Sequence, residues 1–149
     1  MDFFDEINGI QYLFLVKIED LPANKLRITV KEATISTKED YIDIAGKKIG
    51  PVKKISPDGA GRVFEFYFES YGAYYVINES FATFKDDEEW IGRLFCVFSK
   101  SSYLDYIHAT TLVDFTYIYE GDELKHYSIN CQDHVINIAS IKGPIIRKL

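Results

Sequence analysis

Apolar and polar residues alternate along much of the chain, as they do in strands that bury one face. Every second residue is apolar between residues 25 and 31, and the same alternation recurs between residues 63 and 69. Successive side chains of an extended strand point to opposite faces, so each segment has one apolar and one polar face. The pattern predicts half-buried antiparallel strands with these residues in the core: Leu26, Ile28, Val30, Phe64, Phe66 and Phe68.

The same alternation, followed over the whole chain, predicts ten short strands at residues 11–19, 25–34, 41–45, 47–55, 62–70, 73–79, 92–99, 112–119, 124–131 and 135–141. The gaps are rich in turn residues, most clearly at Ser56-Pro57-Asp58-Gly59-Ala60-Gly61. Because the gaps are short enough for hairpins, we expect successive strands to pair as a meander.

One segment, residues 100–111, breaks the alternation and predicts a short helix. Leu104 and Ile107 recur at helical spacing, and Ser102 followed by Asp105 has the form of a capping box with a shortened acid. The expected fold class is therefore mainly β, an antiparallel sandwich or open barrel of about ten short strands with one short helix.

The composition agrees with this fold class. The 149 residues are 47% hydrophobic and 27% charged, which is typical of soluble globular domains. A chain of this length can bury about two thirds of its surface around one core, so we expect residues 1–149 to form a single domain. The high aromatic content, with 11 Phe, 11 Tyr and one Trp, also favours strands over helices.

Charge and cysteine content limit the partners and the compartment. The net charge of −6 repels a phosphate backbone, so we expect no nucleic-acid partner. The first residues are acidic where a secretory signal would be basic, and no apolar run is long enough to span a bilayer, so we expect neither secretion nor membrane insertion. Cys96 and Cys131 are then read as reduced thiols of a cytoplasmic protein.

The sequence contains none of the common catalytic motifs. It has no glycine-rich nucleotide loop, no Gly-x-Ser-x-Gly elbow, no His-Glu-x-x-His and no Cys-x-x-Cys pair. We therefore predict no catalytic residue, no cofactor and no metal.

Two segments are candidates for a ligand cleft, one rich in tyrosine and one rich in histidine. Together they supply Tyr71, Tyr74, Tyr75, His126, Cys131 and His134. Tyrosine offers an apolar face with a polar tip, which suits a small ligand or a stacked base. Alternation places Tyr71 and Tyr75 on one face, and Gly72 marks a bulge or bend. The alternative is structural, with tyrosines at the margin of the core and a buried thiol.

A short acidic run is the candidate for a partner surface. It consists of Asp86, Asp87, Glu88 and Glu89 and is followed by the single tryptophan, Trp90. Exposed carboxylates would speed the encounter with a basic partner, and Trp90 would anchor the complex. The alternative is a solvated loop between two strands, with Trp90 in the core.

Several aromatic and polar motifs between residues 63 and 141 resemble those of small uncharacterised proteins of Gram-positive bacteria, some of them similar to immunity proteins of toxin and antitoxin gene pairs. The motifs are Phe68-Glu69-Ser70-Tyr71 with Tyr74, Asn78-Glu79-Ser80-Phe81, Ser102-Tyr103-Leu104-Asp105-Tyr106, and His126-Tyr127 with Cys131 and His134. The resemblance implies a cytosolic binding protein without chemistry of its own.

Three functions follow as expectations. The first is a protein-binding module, an immunity-like inhibitor that occludes a basic toxin or enzyme. The second is a small-ligand-binding protein or enzyme with an aromatic cleft near Cys131, His126 and His134. The third is a structural subunit of a homo-oligomer, which the edge strands of an open sheet would allow. A concave pocket that joins the tyrosine and histidine segments would favour the second function, and a flat acidic face the first.

Overall fold

A computed structural model describes residues 2–117 and 122–149 of the chain. The described residues form three helices, α1 (Phe3–Asn8), α2 (Ser102–Thr110) and α3 (Val113–Tyr117), and eleven strands: β1 (Leu13–Leu21), β2 (Lys25–Glu32), β3 (Thr34–Ile44), β4 (Lys47–Ser56), β5 (Val63–Phe68), β6 (Tyr71–Asn78), β7 (Glu89–Gly92), β8 (Phe95–Lys100), β9 (Lys125–Asn130), β10 (His134–Ser140) and β11 (Ile145–Lys148). The predicted mainly β fold class is confirmed.

Two antiparallel sheets pack face to face as a sandwich. One has four strands in the order β1-β2-β5-β11, and the other has five in the order β6-β10-β9-β8-β7. A single buried cluster takes residues from both sheets and from α1. Its members include Ile7, Leu26, Ile28, Val30, Phe64, Phe66, Phe68, Phe95, Tyr127, Ile129, Ile136 and Ile138.

The predicted alternation of β2 and β5 is confirmed by burial. Phe64, Phe66 and Phe68 are fully buried, while the intervening residues of β5 are only partly covered. Phe66 meets Phe95 of the opposite sheet edge to face at 5.1 Å, a preferred geometry for aromatic rings. Removing each phenylalanine ring from water stabilises the fold by about 2–3 kcal/mol. Because these rings lie between the two sheets, their burial holds the sheets together.

The predicted meander is wrong. Strand β2 pairs with β5, and β6 pairs with β10, while β3 and β4 pair with each other as a separate two-stranded ribbon. The loop at Ser56–Gly61 therefore does not join two neighbouring strands of one sheet. Strands β2 and β5 each have one face that is buried along its length, whereas almost all residues of β3 and β4 are exposed. Strands β2 and β5 therefore pair with each other in the core, and the ribbon between them in sequence stays outside it.

The prediction of one short helix and of a strand at 112–119 is also corrected. The described part of 112–119 forms α3, and residues 118 and 119 lie outside the described residues. His108 Nδ1 lies 2.6 Å from Asp114 Oδ1, which links the end of α2 to the first turn of α3. Helix α1, which begins with Asp2 accepting a hydrogen bond from the Phe4 amide, and strand β11 were not predicted.

Helix α2 lies on the outer face of the five-stranded sheet. Its buried residues Leu104 and Ile107 pack with Leu124 and Ala139 in a second, smaller apolar cluster. Among the described residues, no helix combines the length and the hydrophobicity needed to cross a membrane. Helix α2 covers only part of this face of the sheet, and a concave region lies beside the helix.

Candidate ligand-binding cleft

A cleft of about 620 Å³ lies on the outer face of the five-stranded sheet, beside α2. Strands β6, β9 and β10 supply its floor, and α2 and the segment after β6 supply its walls. The residues that line it are Ala73, Tyr74, Tyr75, Ile77, Phe81, Ala82, Thr83, Phe84, Lys85, Glu88, Phe98, Ser102, Tyr103, Tyr106, Ile107, His126, Ser128, Val135 and Asn137.

The floor of the cleft is polar although it is buried. The strand periodicity of β9 turns Tyr127 and Ile129 into the sandwich core and leaves His126 and Ser128 on the outer face. In β10, Asn137 lies directly opposite Ser128. The exposed fractions of His126, Ser128 and Asn137 are only 3%, 1% and 6%. Buried polar side chains on a strand are uncommon unless they are hydrogen-bonded, so their partners matter.

A chain of hydrogen bonds fixes His126. Its Nε2 lies 2.7 Å from Asn137 Oδ1, and its Nδ1 lies 3.0 Å from Ser101 Oγ. Because a carboxamide oxygen only accepts, Nε2 carries the proton and Nδ1 accepts from the Ser101 hydroxyl. Burial lowers the pKa of His126, against smaller opposing effects of Asn137 and Glu88. The imidazole at the floor is therefore neutral at physiological pH.

Ser101 connects this network to the start of α2. Its Oγ accepts a hydrogen bond of 3.1 Å from the Leu104 amide, which makes Ser101 the N-cap of the helix. The predicted capping box began one residue later, at Ser102, and this is corrected. The amide of Ser102 instead donates to Glu88 Oε2 at 3.0 Å.

Aromatic rings form a continuous wall around the floor. Phe98 stacks on the His126 ring at 4.1 Å, and Tyr103 meets the same ring edge to face at 5.0 Å. Tyr75 extends this wall, since its ring lies 4.8 Å from that of Tyr103. On the other side, Trp90 lies between Phe98 and Phe84, at 5.6 Å and 5.1 Å. The wall thus offers flat apolar faces next to a polar floor.

Two polar groups of the cleft have no hydrogen-bond partner among the described residues. The Tyr103 hydroxyl is buried and unpaired, and burial raises the pKa of Tyr103, so the phenol keeps its proton. Asn137 uses Oδ1 for His126, and its Nδ2 group has no protein acceptor in the described part of the chain. A buried hydroxyl without a partner costs about 1–3 kcal/mol, so an acceptor that reached the Tyr103 hydroxyl would be stabilising, and the Asn137 Nδ2 group is free to donate.

Charged residues are confined to the rim. Lys85 and Glu88 are the charged side chains that line the cleft. The Glu88 carboxylate accepts from the amide of Lys85 at 3.1 Å and from the amide of Ser102 at 3.0 Å. It therefore ties the wall segment to the start of α2, and the floor itself carries no ionised group.

The structure brings together only part of the predicted cleft. Tyr74, Tyr75 and His126 line it, and Tyr71, Cys131 and His134 do not. The bulge predicted at Gly72 is present, because the pairing of β6 with β10 shifts between Ala73 and Tyr71.

This bulge corrects the predicted face of Tyr71. One extra residue turns Tyr71 to the side of Tyr74, and the two rings meet edge to face at 5.1 Å. Both hydroxyls donate to the carboxylate of Asp20 in β1, at 2.8 Å from Tyr71 and 3.3 Å from Tyr74. Tyr71 therefore braces the two sheets against each other rather than lining the cleft with Tyr75.

Neither thiol is activated. Cys131 belongs to the sandwich core, and burial raises its pKa to about 12. Burial likewise raises the pKa of Cys96 to about 11. A nucleophilic cysteine needs a lowered pKa, so these thiols are protonated at neutral pH. His134 is exposed at the start of β10, and no group of three or more His, Cys, Asp or Glu side chains in the described part of the chain could hold a metal ion.

The acidic run lies at the edge of the cleft. Asp86, Asp87 and Glu89 are exposed, whereas Glu88 is half-buried at the rim. Trp90 lies opposite Phe98 of β8 and keeps 38% of its surface exposed. Trp90 is therefore not a core residue, and its role as an anchor for a partner stays a prediction.

Sequence reasoning missed four residues of the site: Ser101, Tyr103, Ser128 and Asn137. A signal for Asn137 exists, because it lies between the apolar residues Val135 and Ala139 on the outer face of β10. Comparisons with protein-family models, with curated proteins and with solved structures give no match for this chain. The resemblance to immunity-like proteins therefore stays a prediction.

Proposed function

We propose that the protein binds a small, uncharged, planar aromatic molecule in the cleft on the outer face of its five-stranded sheet. The observation that carries the proposal is the buried pair of His126 and Asn137, with a neutral imidazole, on the floor of an aromatic-walled cavity that also holds the unpaired Tyr103 hydroxyl. This arrangement corresponds to the concave pocket, joining the tyrosine and histidine segments, that distinguishes ligand binding from a flat acidic surface.

The walls favour a flat ring system. Tyr75 and Tyr103 on one side and Phe84 on the other present ring faces and edges to the cavity. Stacking on such a ring contributes about 1–3 kcal/mol per base-sized group. Aliphatic ligands would fill the same volume without this contribution.

The floor favours a neutral ligand with a carbonyl or ring-nitrogen acceptor. The Asn137 Nδ2 group and the Tyr103 hydroxyl both donate, and the charged residues of the cleft, Lys85 and Glu88, have opposite signs, so the cleft has no net charge that favours an ionised ligand. Taking an unpaired charge out of water costs several kcal/mol, so a charged analogue should bind much more weakly.

We propose binding rather than covalent catalysis. Burial raises the pKa of both thiols, and the Ser128 hydroxyl donates to Asn130 Oδ1 at 2.9 Å instead of to a base. His126 has both ring nitrogens engaged, by Asn137 and Ser101, which leaves it no free position for proton transfer. These contacts make the floor a rigid recognition surface.

A matched pair of probes tests the proposal. Indole-3-carboxamide and indole-3-carboxylate have the same ring but differ in charge. We expect the carboxamide to raise the melting temperature in a saturable way, with a Kd of about 1 mM or tighter, and the carboxylate to have little effect. Tyr75→Ala should abolish the shift, and Tyr41→Ala, which removes an exposed tyrosine of β3, should not. Equal effects of both probes, or a shift that survives Tyr75→Ala, would contradict the proposal.

A second candidate function is binding to a protein with a basic surface through Asp86–Trp90. It is supported by the exposure of Asp86, Asp87 and Glu89 beside a partly exposed tryptophan. Neutralising these three acids should slow association and weaken its dependence on salt. For the compartment we propose the cytosol, in agreement with two buried, unpaired cysteines.

A further inference from the structure

The ribbon formed by β3 and β4 projects from the sandwich, and no other described part of the chain covers it. Between Thr37 and Lys54 every residue except Val52 is exposed. At about 3.3 Å per residue the ribbon extends roughly 30 Å. An isolated two-stranded ribbon is marginally stable in water, so a cover for it would be favourable.

The far end of the ribbon is apolar and carries two lysines and one acid, Asp43, which lies opposite Lys48. Ile42 pairs with Ile49 across the two strands, and both are about half exposed, at 49% and 48%. Tyr41 and Ile44 beside them are 59% and 55% exposed. Lys47 and Lys48 follow the turn at this end. Clustered apolar residues rimmed by charge are typical of interaction sites.

The charge of the ribbon differs in sign from that of the rest of the chain. Residues 34–56 contain five lysines and three acids, a net charge of +2. Since the whole chain carries −6, the remaining residues carry −8. The ribbon as a whole is therefore complementary in net charge to the rest of a second copy of the same protein.

Outside the ribbon, the edge of the five-stranded sheet at β7 is also apolar, and acidic residues lie beside it. Strand β7 is the edge strand of the five-stranded sheet and pairs on one side, with β8. Its residue Ile91 is 64% exposed, and the exposed acids Asp86 and Asp87 precede the strand. An unpaired edge accepts a further strand through its free backbone groups.

We propose that this protein forms a symmetric dimer in which the β3–β4 ribbon of each copy packs on the β7 edge of the other. The apolar residues of the ribbon end meet Ile91, and Lys47 and Lys48 approach Asp86 and Asp87. A two-fold axis makes the two contacts identical, which is the commonest symmetry of homo-oligomers. The proposal does not depend on the ligand cleft, because neither pair of charged residues lines it.

Sedimentation velocity of the full chain tests the dimer. Between about 1 μM and about 1 mM protein we expect a monomer–dimer equilibrium that weakens when salt is raised from about 0.05 M to about 0.5 M. A chain that stays monomeric over this whole range, or a dimer that salt does not affect, would overturn the proposal.

Charge reversal identifies the surfaces. One variant carries Lys47→Glu with Lys48→Glu, and the other carries Asp86→Lys with Asp87→Lys. Each alone should dimerise at least about tenfold more weakly, because like charges would face each other in both contacts. All four positions are exposed, so an unchanged circular dichroism spectrum serves as the control for folding.

Mixing the two variants gives the decisive result. In the mixed dimer one contact is the natural one and the other has both charges exchanged, so attraction returns at both sites. We expect the affinity of the mixed pair to recover to within about threefold of the natural dimer. Failure of the mixture to associate, or unchanged association of either variant alone, would show that these surfaces do not meet.

Discussion

The Nε2 atom of His126 lies 2.7 Å from Oδ1 of Asn137, on two neighbouring strands of the same sheet face. This contact fixes the ring tautomer and holds the Asn137 amide with its donor group unpaired. It also connects the floor of the cleft to α2, because the other ring nitrogen accepts from Ser101, the N-cap of that helix. Shape and hydrogen-bonding capacity of the cleft are therefore set by one continuous network.

Ser101 should matter far more for stability than its neighbour Ser102. Ser101→Ala removes the cap of α2 and leaves His126 Nδ1 and the Leu104 amide without their partner. We expect a loss of about 2 kcal/mol in the free energy of unfolding, measured by chemical denaturation. Ser102→Ala, the matched control, should change it by less than about 0.5 kcal/mol. Equal losses for the two variants would show that Ser101 does not act as described.

Acidification should destabilise the protein through His126. Burial lowers the pKa of His126 below its ordinary value of 6.5, so the unfolded chain binds a proton that the folded protein resists. The stabilisation is complete above the unfolded pKa and is lost as the pH falls below about 6.5, with a slope of at most about 1.4 kcal/mol per pH unit. Denaturation at several pH values between about 5.5 and 7.5 measures the slope, which His126→Gln should reduce. An unchanged slope in that variant would mean that His126 is not the titrating group.

A second pH-dependent contribution to stability comes from a group of charged side chains beside the four-stranded sheet. Arg62 donates to Glu32 at 2.7 Å and to Glu6 at 3.1 Å, and Lys148 also contacts Glu6. The hydrogen bond from Arg62 lowers the pKa of Glu32, and that from Lys148 lowers the pKa of Glu6.

A lowered carboxyl pKa stabilises the fold above the unfolded value of 4.5, and this contribution is lost as the pH falls through the folded pKa. Glu32→Gln should therefore lower the free energy of unfolding near pH 7, by less than about 1 kcal/mol because the pair is partly solvated. The difference from the natural protein should shrink below about pH 4. Glu39→Gln, on the exposed ribbon, is the matched control and should change little at any pH. A deficit that persists in acid would contradict this role of Glu32.

Local patterns were enough to predict most of the strands, because burial of one face repeats every second residue. Phe64, Phe66 and Phe68 show this alternation in the sequence, and all three are buried. The order of the strands could not be predicted, since the pairing of β2 with β5 and of β6 with β10 depends on contacts between distant residues. The strand predicted at 112–119 was wrong for a related reason. An apolar segment this short does not distinguish a strand from a helix, and contacts with α2 stabilise the helix α3.

The sequence predicted residues of the candidate site only where the type of a single side chain pointed to ligand binding. Tyr75 and His126 stand out by type, and the structure brings them to one cleft. Ser101 has no such signal, because its role comes from a ring that lies 25 residues away in the sequence. Tyr71 was placed on the wrong face because the bulge at Gly72 shifts the alternation by one residue.

The most direct measurement of the proposed function is the response of the Asn137 side-chain amide to a ligand. In a ¹H–¹⁵N correlation spectrum, with the resonance assigned through Asn137→Ser, indole-3-carboxamide should shift this amide in a saturable way. The amide of the loop residue Asn24 should not shift, because it lies outside the cleft. Saturable binding that leaves the Asn137 amide unshifted, or no binding up to about 10 mM, would contradict the account.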